Sequence, residues 1–181
     1  MTFSGAVPVI ETERLTMRGF RHTDIDDYAA FFADDALTRF IGGALSREDA
    51  WRNMAMRSGS WLLRGFGYWA LESKNDRRMV GFCGLTFPEG WPEPEIGWAI
   101  FSGAQGNGYA TEAAKRARAY AYDELGWSTA ISLINPLNAP SLRVAQRLGA
   151  KQDGAFALKG TELGVFRHPS PTFLKSQSTT H

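Results

Sequence analysis

The chain has 181 residues, a formal net charge of +1 and 44% hydrophobic residues. That length suits one domain with a sizeable core, and the supply of tryptophan and phenylalanine excludes a disordered chain. No long basic run marks a nucleic-acid binder, and no apolar run reaches the length of a membrane span.

The N-terminal stretch "MTFSGAVPVIETER" lacks a basic start followed by an apolar core, so no signal peptide is expected. "ERLTMRGF" (13–20) reads as a strand. "RHTDIDDYAAFFAD" (21–34) reads as a short amphipathic helix, with Thr23 and Asp26 at capping-box spacing. A second helix is expected from Ser46, with Asp49 as its capping partner and Trp51 and Met54 turned inward. "GYWALES" (67–73) and "MVGFCGLTF" (79–87) read as a hairpin joined by the polar turn "KNDRR". Cys83, the only cysteine, falls in the second arm and reads as a small core residue. With no disulfide possible, the cytoplasm is the expected compartment.

"PEGWPEPE" (88–95) is a proline-broken loop, and "EIGWAIF" (95–101) is the next strand. A long helix follows, with Ala110, Ala113, Ala114, Ala117, Ala121 and Leu125 on one stripe, which allows close approach to a sheet. Gly126 reads as its C-terminal stop. "TAISLIN" (129–135) is a strand. "NAPSLRVAQRLGA" (138–150) is a short helix with Asn138 as N-cap, Pro140 in its first turn and Gly149 at its end. "FALKGTELGVFRH" (156–168) reads as a final hairpin, and the last dozen residues as a frayed polar tail. The resulting order, β-α-α-β-β-β-α-β-α-β-β, is a mixed α/β chain with antiparallel hairpins and one parallel crossover.

The segment "QGNGYA" (105–110) sits between a strand and the long helix. The first turn of a helix carries backbone N–H groups without intrahelical partners, and with the helix dipole they form an anion site. Gly106 and Gly108 permit positive φ and close approach of a ligand, so the loop is suited to a phosphate or pyrophosphate. A simple tight turn would use the same glycines. No lysine follows Gly108 as a P-loop requires, and Thr111 stands where a dinucleotide fingerprint needs glycine or alanine. The histidines are scattered singly, so no metal site is expected.

Gln105, Gly108 and Ala110 fit the phosphate motif of the GNAT superfamily of acyl-CoA-dependent N-acetyltransferases, and "GYATEA" (108–113) resembles its RimJ/RimL-type branch. Asn138, Ser141, Leu148 and Gly149 match a second element of that family. The opening "ETERLTMRGF" and the strand "EIGWAI" are also similar, so the resemblance runs from Glu11 to Arg167. It implies a GNAT-type fold: a central, mostly antiparallel sheet with one parallel pair splayed at the cofactor site. A single acetyltransferase domain would span 1–169, followed by a disordered tail over 170–181.

The resemblance further implies acetyl transfer from acetyl-CoA, without a metal, to a primary amine: a protein N-terminus or a small molecule. Neither nucleic acid nor membrane is an expected partner, and the chain would act as a monomer or homodimer. The backbone from Gln105 through Gly106, Asn107, Gly108, Tyr109 and Ala110 to Thr111 would hold the CoA pyrophosphate. Trp98, Ala99 and Ile100 would pair with the pantetheine arm, and Asn138 and Ser141 would flank the thioester. Arg147 or Arg143 would meet the 3′-phosphate. Glu95 is the leading candidate for the base that deprotonates the amine, its alternative being to orient a backbone group or pair with an arginine. Glu72 and Glu112 are weaker candidates. Family members carry a proton-donating tyrosine where this chain has Ala145, so Ser141 is the nearest substitute donor. An aromatic acceptor wall is expected from Trp51, Trp61, Phe87 and Trp91. A non-catalytic acyl-CoA-binding module of the same fold is the competing expectation.

Overall fold

The computed structural model describes residues 7–178. The strands are β1 (Ile10–Glu11), β2 (Leu15–Arg18), β3 (Tyr68–Ser73), β4 (Met79–Thr86), β5 (Glu95–Ile100), β6 (Ile131–Ile134), β7 (Lys151–Leu158) and β8 (Thr161–Arg167). The helices are α1 (Ile25–Phe32), α2 (Asp35–Thr38), α3 (Arg47–Arg64), α4 (Tyr109–Asp123), α5 (Ala139–Arg147) and α6 (Pro171–Ser178). The strands form one eight-stranded sheet in the order β1-β2-β3-β4-β5-β6-β8-β7, and only β5 and β6 run parallel. The expected order is contained in this arrangement, with β1, α2 and α6 added.

Alternation along the strands supplies two cores on opposite faces of the sheet. Trp69, Leu71, Ile96 and Trp61 pack with the fully buried stripe Ala113, Ala114, Ala117 and Ala121 of α4. Ala70, Phe82 and Ala99 pack against Tyr28, Phe31 and Phe32 of α1 and Met54 of α3. The alanine stripe therefore does what its small side chains permit: it brings α4 down onto β4 and β5. The helix ends at Asp123 with Glu124 as its C-cap, earlier than expected, and Gly126, at φ +70°, turns the chain just beyond it, with Trp127 N–H donating to the Ala121 carbonyl. Cys83 is buried in the same core, and burial pushes its thiol pKa up, so it stays protonated.

Several local expectations are corrected. Thr23 and Asp26 do not cap α1. A 3-10 turn over His22–Asp24 precedes it, and the Asp24 carboxylate instead accepts from Arg21 N–H at 2.7 Å and pairs with Arg18. The ionic demand of buried Arg18 wins over the local cap. Ser46 does cap α3 through Asp49 N–H, and Met54 is buried, but Trp51 points outward with 51% of its surface exposed. The final hairpin begins at Lys151, earlier than its apolar pattern suggests, because the first half of β7 is exposed. The tail expected to be disordered is helical over Pro171–Ser178, with Leu174 against the main core.

Candidate active site

β5 leads through a 3-10 turn (Ser102–Ala104) into the glycine loop and then α4. Gly106 and Gly108 each adopt φ of +80°, a conformation that a side chain would strain. Gly108 is the N-cap and offers no side-chain acceptor, so no side chain caps the first amides of α4. The loop is shaped from within: Gln105 Nε2 donates to the Ile100 carbonyl and Asn107 Nδ2 to the Ala104 carbonyl, both at 3.0 Å.

Arg14, at the entry to β2, clasps the loop from outside. Its Nη1 donates to the Asn107 carbonyl at 2.9 Å, its Nε to Glu112 at 2.8 Å, and its guanidinium lies 4.9 Å over the Tyr109 ring. Glu112 also accepts from Thr12 and from Arg14 N–H, and these partners outweigh burial to hold its carboxyl below the usual range. Glu112 thus ties the start of α4 to Thr12 and to Arg14 at the entry of β2.

The loop borders a groove of about 420 Å³. Trp98, Ala99, Ile100, Gln105, Gly106, Gly108, Tyr109, Ala110, Thr111, Asn138, Ser141 and Arg147 all line it, as does Arg143. Asn107 does not: its amide is spent inside the loop, so its part is to shape the turn. Arg39, Phe40 and Ile41, just beyond α2, close another side of the groove. Sequence reading missed them because the segment has no motif.

A smaller cavity of about 90 Å³ adjoins the groove, and Trp98, Asn138 and Ser141 line both. Glu95 lines only the smaller one. Its Oε2 accepts from Trp91 Nε1 at 2.5 Å and its Oε1 from Leu133 N–H at 3.0 Å. Burial raises its pKa and these two donors only partly offset the shift. Of the expected aromatic wall only Trp91 stands near Glu95. Trp61 is in the core, Trp51 is exposed, and Phe87 faces Arg64. The aromatic side chains that line the small cavity are instead Phe40, Tyr68, Phe82 and Trp98. Arg57 stacks over the Tyr68 and Phe82 rings at 4.3 and 4.7 Å and donates to Asn53. Burial pushes the Tyr68 hydroxyl up to about 12.

Asn138 caps α5 through Ser141 N–H at 3.3 Å, while the Ser141 hydroxyl has no hydrogen bond to protein among the described residues. Ala145 is fully buried beside Ile134 and Ala150 and does not line the groove. Glu72 is far from this chemistry in kind: it is buried among Arg18, Arg21 and Arg77, which outweigh desolvation and hold its carboxyl low. No group of three or more metal-ligating side chains occurs among the described residues, and no helix there is long and apolar enough to cross a membrane.

A family model described as an acetyltransferase (GNAT) domain matches residues 14–151. An acetyltransferase structure from Agrobacterium tumefaciens superposes with a TM-score of 0.83 at 30% identity, covering 91% of this chain and 96% of that one. The uncharacterized protein YkkB of Bacillus subtilis is 30% identical over 145 residues, covering 76% of this chain and 82% of its own. RimL, a ribosomal alpha-N-protein acetyltransferase solved with coenzyme A, shares the fold at a TM-score of 0.71 and 16% identity, over 90% of this chain and 96% of that one. With a match across most of the domain and a sheet that opens at its one parallel pair, the chain belongs to the GNAT acetyltransferase family.

Proposed function

We propose that the protein transfers the acetyl group of acetyl-CoA to a primary amine by direct attack in a ternary complex. The observation that carries this reading is the shared wall: a groove bordered by the glycine loop meets a small cavity holding Glu95, and Trp98, Asn138 and Ser141 face both. The groove would take the cofactor, with the amides of residues 106–110 on the pyrophosphate and the Trp98–Ile100 backbone along the pantetheine. Arg143 or Arg147 would meet the 3′-phosphate. The cavity would take the amine.

Attack on the thioester needs a neutral amine, an oriented carbonyl and an outlet for the thiolate. Glu95, with its pKa raised by burial, is suited to receive the ammonium proton, directly or through water. A strand N–H of residues 97–100 would donate to the oxyanion. Ser141 would hydrogen-bond the sulfur as it leaves. The RimJ/RimL-type motifs "GYATEA" and "ETERLTMRGF" favour a protein N-terminus as acceptor, and the likeness to RimL agrees with that at the level of fold. A cytoplasmic monomer or homodimer is the matching setting.

The test is acetyl-CoA consumption across peptides with free N-termini, amino acids, polyamines and aminoglycosides. Turnover is expected with peptides. Tight acetyl-CoA binding without turnover on any amine would instead identify a non-catalytic acyl-CoA-binding module.

A further inference from the structure

The parallel pairing of β5 with β6 consists of a single matched pair, Glu95 with Ile131. Its rung joins Ile131 N–H to the Pro94 carbonyl at 3.0 Å. Parallel ladders are evenly spaced, and successive rungs advance by two residues on each strand. The next rung would therefore join Leu133 N–H to the Ile96 carbonyl. Both groups are engaged elsewhere. Leu133 N–H donates to Glu95 Oε1 at 3.0 Å, and the Ile96 carbonyl accepts from Ser132 Oγ at 2.7 Å. Two side chains have replaced one backbone rung.

Ser132 is itself held. It is buried, and its Oγ lies 3.0 Å from His168 Nε2. Because the hydroxyl gives its proton to Ile96, it must receive one from His168, so Nε2 carries the hydrogen and Nδ1 is free to accept. Arg118 Nη1 stands 3.5 Å from Nδ1 and donates to the Leu148 carbonyl at 2.7 Å, tying the imidazole to α4. The Ser132 hydroxyl, the His168 ring nitrogens, Leu133 N–H and the Ile96 carbonyl all have partners, so the arrangement is satisfied without the missing rung.

We infer that Glu95 and Ser132 form a wedge that keeps β5 and β6 apart, with His168 as the positioning residue behind Ser132. The wedge stands at the small cavity, which is lined by Ile96, Gly97 and Trp98 on one strand and Ser132, Leu133 and Ile134 on the other. Closing the rung would draw these two sets together and narrow the gap. That consequence rests on the proposed use of the gap for the thioester; the wedge itself does not. Glu95 thus has a backbone duty in addition to its proton duty, and Ser132 has a duty that no sequence motif marks.

The test is a double-mutant cycle with Glu95→Ala, Ser132→Ala and the combined variant. Melting temperature, exchange of the Leu133 amide proton and acetyl-CoA affinity by calorimetry are compared with the wild type. Each single variant is expected to melt lower, because it leaves one backbone group without its partner. In the combined variant the two freed groups can bond to each other, so its loss of melting temperature is smaller than the sum. Its Leu133 amide exchanges more slowly than in Glu95→Ala, while its dissociation constant for acetyl-CoA rises about tenfold, equivalent to one or two hydrogen bonds. Additive or worse losses of stability, including failure to fold, or a Leu133 amide that exchanges no more slowly than in Glu95→Ala, overturn the wedge; unchanged acetyl-CoA affinity in a combined variant that passes both comparisons overturns the placing of the thioester in the gap. A wild-type protein that binds no acetyl-CoA overturns the functional reading instead, and the melting and exchange comparisons still decide the wedge.

Discussion

Glu72 on β3 and Glu95 on β5 are carboxylates held inside one sheet, and their partners are of opposite kinds. Glu72 lies against the guanidinium groups of Arg18, Arg21 and Arg77. Glu95 has two neutral N–H donors, from Trp91 and Leu133. Cations stabilise an anion enough to offset its lost hydration, whereas two neutral donors on a buried carboxylate do so only in part. The first carboxyl is consequently held below its usual range and the second above it. The lesson concerns placement: the ion cluster fastens β2 to β3, and the carboxylate left without a tight cationic partner stands where the sheet opens.

The largest way to break this comparison is to remove the cations. Arg18 is buried and bonds both Asp24 and Glu72, at 2.7 Å each. Arg18→Met would strand two buried carboxylates, with Arg21 and Arg77 still compensating Glu72 from the surface. The expected loss is about 3 kcal/mol, the lower end for a broken buried pair, read as a shift of the urea midpoint. Turnover per folded molecule should remain near wild type. A comparable loss of turnover would mean that the cluster supports the site as well as the fold.

Next in size is Glu95→Gln. The amide oxygen can still receive Leu133 N–H, so the strand contact persists while proton uptake is lost. The expected result is a fall in turnover of about a hundredfold or more, with acetyl-CoA affinity nearly unchanged. An affinity loss as large as the turnover loss would place the residue's value in holding the strands alone.

The two carboxylates also carry opposite pH signatures. Glu72, lowered on folding, adds stability above the unfolded carboxylate range, and that contribution is lost as pH falls through its folded value. Glu95, raised on folding, adds stability below that range, and loses it as pH rises through its folded value. The acidic limb of kcat/KM should accordingly lie above the ordinary carboxylate range in the wild type and vanish in Glu95→Gln. A limb at the ordinary carboxylate value would assign it to another group.

How far the sequence disclosed these regions follows from how local each one is. The glycine loop is legible because its geometry is written in consecutive residues, and Gly106 and Gly108 adopt the positive φ that their pattern implies. The alanine stripe of α4 is legible by its period, and the Asn138 cap by its position. The aromatic lining of the small cavity was not legible. Tryptophans at helical or loop positions look alike in sequence, and only packing separates the core Trp61 from the exposed Trp51. The Ser132–His168–Arg118 chain was equally hidden, since its members are 36 and 50 residues apart and meet only after β6 pairs with β8. Glu95 was found by its place at a strand start, but its bond to Leu133 required the structure.

A further, smaller test concerns the loop. Gly108→Val would hold a β-branched side chain at positive φ, costing about 1–3 kcal/mol of backbone strain, and its Cβ would come within 3.4 Å of Arg14 Nη2. Acetyl-CoA affinity should fall more than stability, since relief of that strain would turn the loop amides away from the proposed pyrophosphate position. A folded variant with normal acetyl-CoA affinity would reduce the glycine to a turn residue.

The smallest expected effect separates two serines. Ser132 has its hydroxyl fully engaged, between Ile96 and His168. Ser141 lines both the groove and the small cavity, and its hydroxyl makes no hydrogen bond to protein among the described residues. Its backbone N–H already meets Asn138, so the cap survives replacement of the side chain. Ala145 is packed into the core, so nothing at that position reaches the groove to supply a proton. Ser141→Ala therefore isolates the hydroxyl. If it only steadies the sulfur, the loss is one neutral hydrogen bond, about 0.5–1.5 kcal/mol, read as a modest rise in KM for acetyl-CoA. If it also delivers the proton, the loss moves into kcat and reaches about a hundredfold. The smaller effect is expected, because a thiolate leaves readily without protonation. Steady-state constants indistinguishable from wild type would leave solvent as the proton source and the groove's sulfur end without a protein donor at Ser141.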